Sequence, residues 1–287
     1  ATDHNHHTDY APVAASTGTV GWFTPVIGNE VTTKHGHFNA FPVQAGAAVV
    51  NAGEEDWSKL IPAIRKTSGV KVITLNHPRD LHSGFVPFGG LQFNPKTGHH
   101  RDAAALDIDA IEVITSAAMQ SDINLLFHDW FALLNRGHRI SAIGSSDSHD
   151  VNRFILGQGR TYVAVDDQAP AGINLDEAWN SYHKGRLLVS LGLLANMKVN
   201  DRFKVGELAT NLDKPWQCSA FGRGAVEDGL AARTYRELPV NAIWEGSGNV
   251  MALDVLRVLQ RDPETIGVVL EALASEAKGN AALQALA

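Results

Sequence analysis

Six histidine and carboxylate residues lie beside the ends of apolar segments that are typical of buried β-strands. They are His4, Glu30, His37, His77, Asp147 and His149. In parallel α/β sheets and barrels, the carboxyl edge of the strands is where ligands and catalytic groups gather. Mixed imidazole and carboxylate donors suit Zn²⁺, Mn²⁺ or Fe²⁺, and a carboxylate can bridge two such ions. The pattern therefore predicts a divalent metal site at one edge of a sheet.

The histidines are concentrated in one half of the chain. Of the 13 His, twelve lie in residues 1–150, where an even spread would place about seven. A single His near a strand end is more often a surface or hydrogen-bonded residue than a metal ligand. We expect that ordinary role for a second set: His6, His7, His99, His100, His128 and His138. The Asp-x-His sequence in GSSDSHD is a stronger signal, because a turn can bring both side chains to one ion.

Two further charged residues can be interpreted from their positions. Glu112 lies within a predicted strand, and we expect it to hold a neighbouring ligand by hydrogen bonding rather than to bind metal itself. Arg79 comes two residues after His77. It could either bind an anionic substrate or cap a loop, and the sequence does not separate these alternatives.

The composition excludes several classes of protein. The chain has 287 residues, with 24 Lys and Arg against 31 Asp and Glu, and 44% of its residues are hydrophobic, which is typical of a folded globular protein. The acidic balance, without a basic run, argues against generic nucleic-acid binding. The single Cys excludes a disulfide framework. Residues 187–195 are the longest apolar stretch, which is too short to span a bilayer, and no signal peptide opens the sequence.

Short apolar segments alternate with helical patterns over the first two thirds of the chain. The predicted strands are residues 20–27, 37–43, 70–75, 108–115, 140–144 and 160–165, and the predicted helices are 57–65, 122–135 and 175–182. This alternation predicts βαβ units in a mostly parallel sheet or barrel. Residues 83–102 form a long interruption that is typical of a functional lid. From residue 249 to the end the pattern is helical.

The motifs at these strand ends resemble a known family. TDHNHHTDY, GNEVTTKHGHFNAF, LNHPR, IEVIT and GSSDSHD are similar to successive motifs of the PHP (polymerase and histidinol phosphatase) metallohydrolases, above all the carbaryl-hydrolase-like branch. The resemblance covers residues 1–212 and implies a distorted (β/α)7 barrel with two or three metal ions. In that family an opening strand with an HxH motif precedes the TDH motif. The resemblance therefore implies an α/β barrel that is incomplete at its N-terminus.

The resemblance also implies roles for individual residues. Glu30 would bridge two metals, and His37 and His77 would complete the ligands of the second metal. Asp147 would bind the first metal. His4 and His149 would bind the third.

The C-terminal segment resembles a different family. ARTYRELPVNAIWEGSGNVMALDVLRVLQRDPE is similar to the C-terminal end of acyl-CoA dehydrogenases, especially the alkylation-response branch. Glu245 occupies the place of the acid that often serves in that family as the base for the substrate α-proton. We therefore expect a junction over residues 213–223 and an acyl-CoA-dehydrogenase-like helical fragment over residues 224–287.

Two functions from different classes follow from these resemblances. The first is a metal-dependent hydrolase that acts on a small molecule, with phosphate esters as the leading substrate class and carbamates or other esters next. The alternative is an acyl-CoA dehydrogenase-related fragment or a chimera without function. Neither the compartment nor the oligomeric state is indicated by the sequence.

Overall fold

The computed structural model of the chain divides into two compact units, Ala1–Arg223 and Gly224–Ala287. The structure describes residues 1–80, 87–89, 92–101, 106–115, 123–149, 156–191, 194–209, 212 and 218–223, all within the first unit. The predicted C-terminal helices and Glu245 lie outside the described residues. Within these described ranges, no helix has the length and apolar character needed to cross a membrane.

The described residues form four α-helices and twelve short strands. The helices are α1 (Ala11–Ser16), α2 (Trp57–Arg65), α3 (Ile123–Asn135) and α4 (Leu175–His183). The strands are β1 (Asn29–Thr33), β2 (Gly36–Phe41), β3 (Val72–Leu75), β4 (Phe93–Asn94), β5 (His99–His100), β6 (Ala110–Thr115), β7 (Ser141–Ser145), β8 (Arg160–Val163), β9 (Leu187–Ser190), β10 (Leu194–Val199), β11 (Phe203–Lys204) and β12 (Cys218–Arg223). A 3₁₀ turn, Pro170–Gly172, precedes α4.

The central sheet is mixed, and the prediction of a (β/α)7 barrel is wrong. Its five strands stand in the order β1-β2-β3-β6-β7, and three small sheets complete the described strands. β3, β6 and β7 are parallel, whereas β1, β2 and β3 are antiparallel. For β1 and β2 the cause is local: only Lys34 and His35 join them, and so short a link makes a hairpin rather than the crossover that parallel strands require. β2 also pairs antiparallel with β3, although a long connection that contains α2 joins these two strands.

The strand predicted over residues 20–27 is also wrong. These residues contain no strand, and the nearby strand is β1, which begins at Asn29. Gly21 weakens strand structure and Pro25 lacks the N–H group that a ladder needs. The apolar side chains at its start are not core residues, since Val20 is 52% exposed and Trp22 is 81% exposed, whereas Val26 packs at the edge of a small core cluster. Apolar composition was therefore a misleading signal here.

The other predicted elements of the first unit are close to those observed. Helix α2 has the predicted bounds, because Asp56 caps it by accepting a hydrogen bond from the Ser58 backbone N–H at 2.9 Å. One face of α2 is buried against the main core. All four residues of β3 are buried, since α2 covers one face of the strand and α4 covers the other. The predicted lid contains the β4–β5 hairpin, and residues 218–223 of the predicted junction form β12, which pairs with β10.

Asp109 joins several elements at the edge of the sheet where the parallel strands begin. Its Oδ2 accepts hydrogen bonds from the Ile73 backbone N–H and from Arg65 Nη1, each at 2.7 Å. His183 at the end of α4 brings its Nδ1 to 3.4 Å from the other carboxylate oxygen. One carboxylate therefore connects α2, β3, β6 and α4. This edge lies opposite the strand ends that precede His77 and Asp147.

Replacement of Asp109 is expected to destabilise the fold more than replacement of its exposed neighbour. Asp109→Ala leaves Arg65 and the Ile73 N–H without their acceptor and should lower the free energy of unfolding by about 2–3 kcal/mol. The Asp107 side chain is 71% exposed and lies 3.5 Å from Arg65 Nε, so Asp107→Ala serves as the matched control. Its cost should stay below about 1 kcal/mol. Urea denaturation measures both, and equal losses would contradict the role given to Asp109.

Candidate metal centre

The β1–β2 hairpin presents two of the predicted ligands on one face. Glu30 pairs with Asn39 across the hairpin, and Thr32 pairs with His37, so these four side chains share a face of the two strands. The His37 Nδ1 lies 2.9 Å from Glu30 Oε1, and both side chains are buried. Because a carboxylate oxygen is an acceptor, His37 donates this hydrogen bond.

The first five residues run beside β1 and bring His4 to the same face. His4 and Glu30 form an isolated parallel bridge. The Glu30 backbone N–H donates to the Asp3 carbonyl at 3.1 Å, and the Asn5 N–H donates to the Glu30 carbonyl at 2.9 Å. The Asn5 carboxamide extends this pairing to the backbone of Thr32. Its Oδ1 accepts from the Thr32 N–H at 2.9 Å, and its Nδ2 donates to the Thr32 carbonyl at 3.2 Å. Backbone pairing therefore fixes the position of His4, although its side chain is exposed.

His77 follows β3 and has an uncommon backbone conformation. The buried carboxylate of Glu112 stabilises this conformation. The φ of His77 is +24°, and its backbone N–H donates to Glu112 Oε2 at 2.5 Å. The Ser145 hydroxyl donates to the other oxygen of Glu112. Glu112 is thereby a link between the strand ends that carry His77 and Asp147. These contacts agree with the supporting role expected for Glu112.

Asp147 and His149 follow β7 on the other side of the cleft. Asp147 also has a positive φ, +48°, and its carbonyl accepts a hydrogen bond from His149 Nδ1 at 2.9 Å. The ring of His149 stacks on the ring of His4, with centroids 5.3 Å apart. The two Nε2 atoms of this pair are 3.0 Å apart. The turn after β7 therefore carries His149 back to the hairpin side of the cleft.

Four of the six predicted ligands, His4, Glu30, Asp147 and His149, line one cleft of about 490 Å³. The other two, His37 and His77, lie beside Glu30. Each of three histidines reaches Glu30: His37 at 2.9 Å, His77 at 3.6 Å and His4 at 3.7 Å. Ligand atoms of His4, Glu30 and His37 all lie within 4.8 Å of one another, a spacing that allows one ion to bind all three. Asp147 lines the same cleft, and its Oδ1 is 3.7 Å from His149 Nδ1.

The buried charges of this cluster stabilise one another. Burial alone would raise the pKa of Glu30, but hydrogen bonds from His37 and His77 lower it well below its usual range. Burial would lower the pKa of His77, but the hydrogen bond to Glu30 and the charges of Glu112, Glu30 and Asp147 raise it to about 9. Burial and the nearby charge of Glu30 raise the pKa of Asp147. The cleft thus concentrates negative charge that a cation would neutralise.

The hydrogen bonds at the back of two imidazoles determine which nitrogens face each other. The Thr32 hydroxyl lies 2.5 Å from His4 Nδ1 and 3.2 Å from the Glu30 carbonyl. When its hydrogen is donated to the carbonyl, the hydroxyl accepts from His4 Nδ1. His149 Nδ1 donates to a carbonyl, which can only accept. In that arrangement of the neutral rings both Nε2 atoms are acceptors, 3.0 Å apart, and a cation between them would be favourable. Two nitrogen ligands of a tetrahedral Zn²⁺ are about 3.3 Å apart. These residues therefore fit a metal ion.

Several charged and imidazole side chains have other partners. Arg79 forms a bidentate ion pair with the buried Asp129 of α3, at 2.5 and 2.9 Å. These two contacts neither bind a substrate nor cap a loop. His100 is buried, stacks on Trp57 and lies 3.0 Å from the Pro87 carbonyl. His7 lies between the Ala47 carbonyl and Asn29, at 3.2 and 3.1 Å.

The sequence interpretation missed four residues that complete the cleft. Thr32 holds the His4 ring, and the Tyr10 hydroxyl donates to the carboxylate of Asp3 at 3.1 Å. Asn39 and Asn76 line the cleft beside the predicted ligands. Strand alternation was the one available signal for Thr32 and Asn39, since they share the face of Glu30 and His37.

The comparisons with known proteins reach only a short part of the chain. No family model matches the chain, and no solved structure matches it. A stretch of 58 residues is 52% identical to the "Putative acyl-CoA dehydrogenase AidB" of Escherichia coli (strain K12). This stretch is 20% of the present chain and 10% of that protein. The match supports the resemblance of the C-terminal segment to acyl-CoA dehydrogenases, whereas the PHP resemblance still rests on the five sequence motifs alone.

The metal-free protein is expected to lose stability in alkaline solution through His77. The pKa of His77 in the folded protein, about 9, is above its usual value of 6.5, so the charged imidazole stabilises the fold fully below pH 6.5 and this contribution disappears as the pH rises through 9. The loss should be about 3 kcal/mol. Urea denaturation at several pH values measures it. His77→Gln should remove this pH dependence and His99→Gln should keep it; the reverse outcome would contradict the assignment.

Removal of His149 is expected to weaken divalent metal binding while leaving the fold intact. His149 is half exposed, but it supplies one of the two facing Nε2 atoms. His149→Ala should lower the affinity for Zn²⁺ or Co²⁺ about 100-fold, as measured by calorimetry on metal-free protein. His99→Ala removes an exposed imidazole outside the cleft and should bind like wild type. Unchanged affinity in the His149 variant would show that this pair does not bind metal.

Proposed function

We propose that the unit Ala1–Arg223 is a metal-dependent hydrolase that acts on small ester substrates. The observation that carries this proposal is the pair of facing Nε2 atoms of His4 and His149, 3.0 Å apart, each ring being hydrogen-bonded through its Nδ1. Two imidazole nitrogens at this separation can share a cation. The neighbouring carboxylate and the three imidazoles around it provide donors of the type that Zn²⁺, Mn²⁺ or Fe²⁺ accepts.

The residues that would hold the ions are His4, Glu30, His37, His77, Asp147 and His149. A divalent ion in this cleft would lower the pKa of a coordinated water and so supply a nucleophile near neutral pH. Glu30 lies between imidazoles that come from the hairpin, the opening segment and the loop after β3. Glu112 keeps the backbone at His77 in place, and Thr32 keeps the His4 ring in its orientation.

Phosphate, carboxylate and carbamate esters are the candidate substrates. All share an electrophilic centre bound to oxygens that a hydrolytic site must polarise. The carboxylates of Asp3, Glu30 and Asp147 line the cleft together with neutral side chains such as Tyr10 and Ser145. Bound divalent ions would therefore be the main positive charge that the described lining offers to a substrate.

Hydrolysis of an aryl ester should depend on added metal and on His77. We expect the metal-free protein to hydrolyse para-nitrophenyl phosphate or para-nitrophenyl acetate only after Zn²⁺ or Mn²⁺ is added, with release of nitrophenolate as the measurement. His77→Ala should lower the rate by at least about 100-fold. His99→Ala is the control and should react at the wild-type rate. A metal-independent rate, or equal rates in both variants, would contradict the proposal.

A second candidate function comes from the C-terminal segment. The 58-residue match favours an origin of that segment in an acyl-CoA dehydrogenase, and Glu245 would then be its catalytic base. The chain corresponds to only 10% of the matched protein. Flavin absorbance in the purified protein would support this alternative, and its absence together with metal-dependent hydrolysis would favour the hydrolase.

A further inference from the structure

The loop after β3 is joined to α3 by the ion pair of Arg79 and Asp129. The guanidinium donates from Nε to one carboxylate oxygen at 2.5 Å and from Nη2 to the other at 2.9 Å. The Asp129 side chain is fully buried, and that of Arg79 is 14% exposed. Asp129 lies one helical turn from Leu126 and Leu133, which pack into the main core. The pair therefore attaches the loop to a helix that the core holds in place.

Arg79 belongs to the tight turn that begins at His77. The Asp80 backbone N–H donates to the His77 carbonyl at 2.9 Å, which closes a β-turn with Pro78 and Arg79 at its two central positions. His77 has a φ of +24°, and a non-Gly residue keeps such a conformation only where its surroundings over-determine it. Glu112 bonds the backbone N–H of His77, and the ion pair holds the turn on the other side of the same residue.

The ion pair contributes direction rather than stability. Burial raises the pKa of the Asp129 carboxyl, and this effect outweighs the opposite effect of the Arg79 guanidinium. Apolar side chains of similar volume can often replace a buried pair of this kind without loss of stability. What they cannot supply is the fork of the guanidinium, which binds both carboxylate oxygens in one orientation. The pair therefore fixes how the turn lies against α3.

We infer that Arg79 is a positioning residue for His77 as a metal ligand, an inference that rests on the proposed function. Arg79 is not among the described residues that line the cleft, so it acts through the turn and not by contact with ion or substrate. With its guanidinium fixed on Asp129, the turn keeps the His77 imidazole beside Glu30, where Nε2 lies 3.6 Å from the carboxylate. Residues that orient a ligand in this way affect metal affinity without binding the metal.

A double replacement tests the inference without leaving a buried charge unpaired. Metal-free Arg79→Met/Asp129→Leu should unfold at a urea concentration close to that of wild type. Its Co²⁺ affinity should be about 30-fold lower, and its kcat for para-nitrophenyl acetate should also fall, because His77 loses its orientation. Arg79→Lys keeps the charge without the fork and should lose less Co²⁺ affinity. Arg136→Met, the matched control at an exposed position just after α3, should bind Co²⁺ like wild type.

A thermodynamic cycle with His77→Gln shows whether the effect passes through His77. In the His77→Gln background, the same double replacement should change the Co²⁺ affinity by less than about threefold. A full 30-fold loss in that background, or wild-type affinity and kcat in the double replacement alone, would overturn the inference while the hydrolase would stand. A large fall in the urea midpoint would assign the pair to stability and would also overturn it. A wild-type protein that neither binds Co²⁺ nor hydrolyses the ester would overturn the proposed function and this inference together.

Discussion

The carboxylate of Glu30 is the contact on which the arrangement of the cleft depends. It is a buried anion, and an uncompensated buried charge costs several kcal/mol. Three imidazoles compensate it, from His4, His37 and His77, and each comes from a different piece of chain. The hairpin, the opening segment and the loop after β3, whose registers are set by backbone pairing, therefore meet at one side chain. Replacement of Glu30 would leave these imidazoles near one another without their common acceptor.

Three locally unfavourable features lie among the candidate ligands and their neighbours. His77 and Asp147 have positive φ values, and Asn39 keeps a buried oxygen without a donor among the described residues. Costs of this type persist only where the surroundings over-determine the conformation. Glu112 does so here, because it bonds the backbone of His77 and the hydroxyl of Ser145 at once. The stabilising ion pairs of Asp109 lie at the opposite edge of the sheet.

Most helices and strands, and the proximity of the candidate ligands, were predictable from sequence. Whether the sheet closes into a barrel was not. The spacing of apolar residues and the Asp56 cap predict helix α2 with the observed bounds. His77 and Asp147 share one edge because β3 and β7 are parallel to β6 between them. The PHP resemblance implied a (β/α)7 barrel and the alternation of elements a mostly parallel sheet or barrel, but periodicity does not determine strand direction, and the two-residue link at Lys34 and His35 reverses the chain. Asn39 and Thr32 were missed because an uncharged strand residue has no chemical signature until its neighbours are known.

The sequence distances between the candidate ligands imply an order of assembly during folding. Glu30 and His37 are seven residues apart on a hairpin, so their contact closes a short loop and can form early. The contact of His4 with His149 spans 145 residues and requires β3, β6 and β7 to be aligned first. A nascent chain would therefore offer a cation a weak two-ligand site long before the full set of donors exists. Tight coordination would be a property that the polypeptide acquires only at the end of folding.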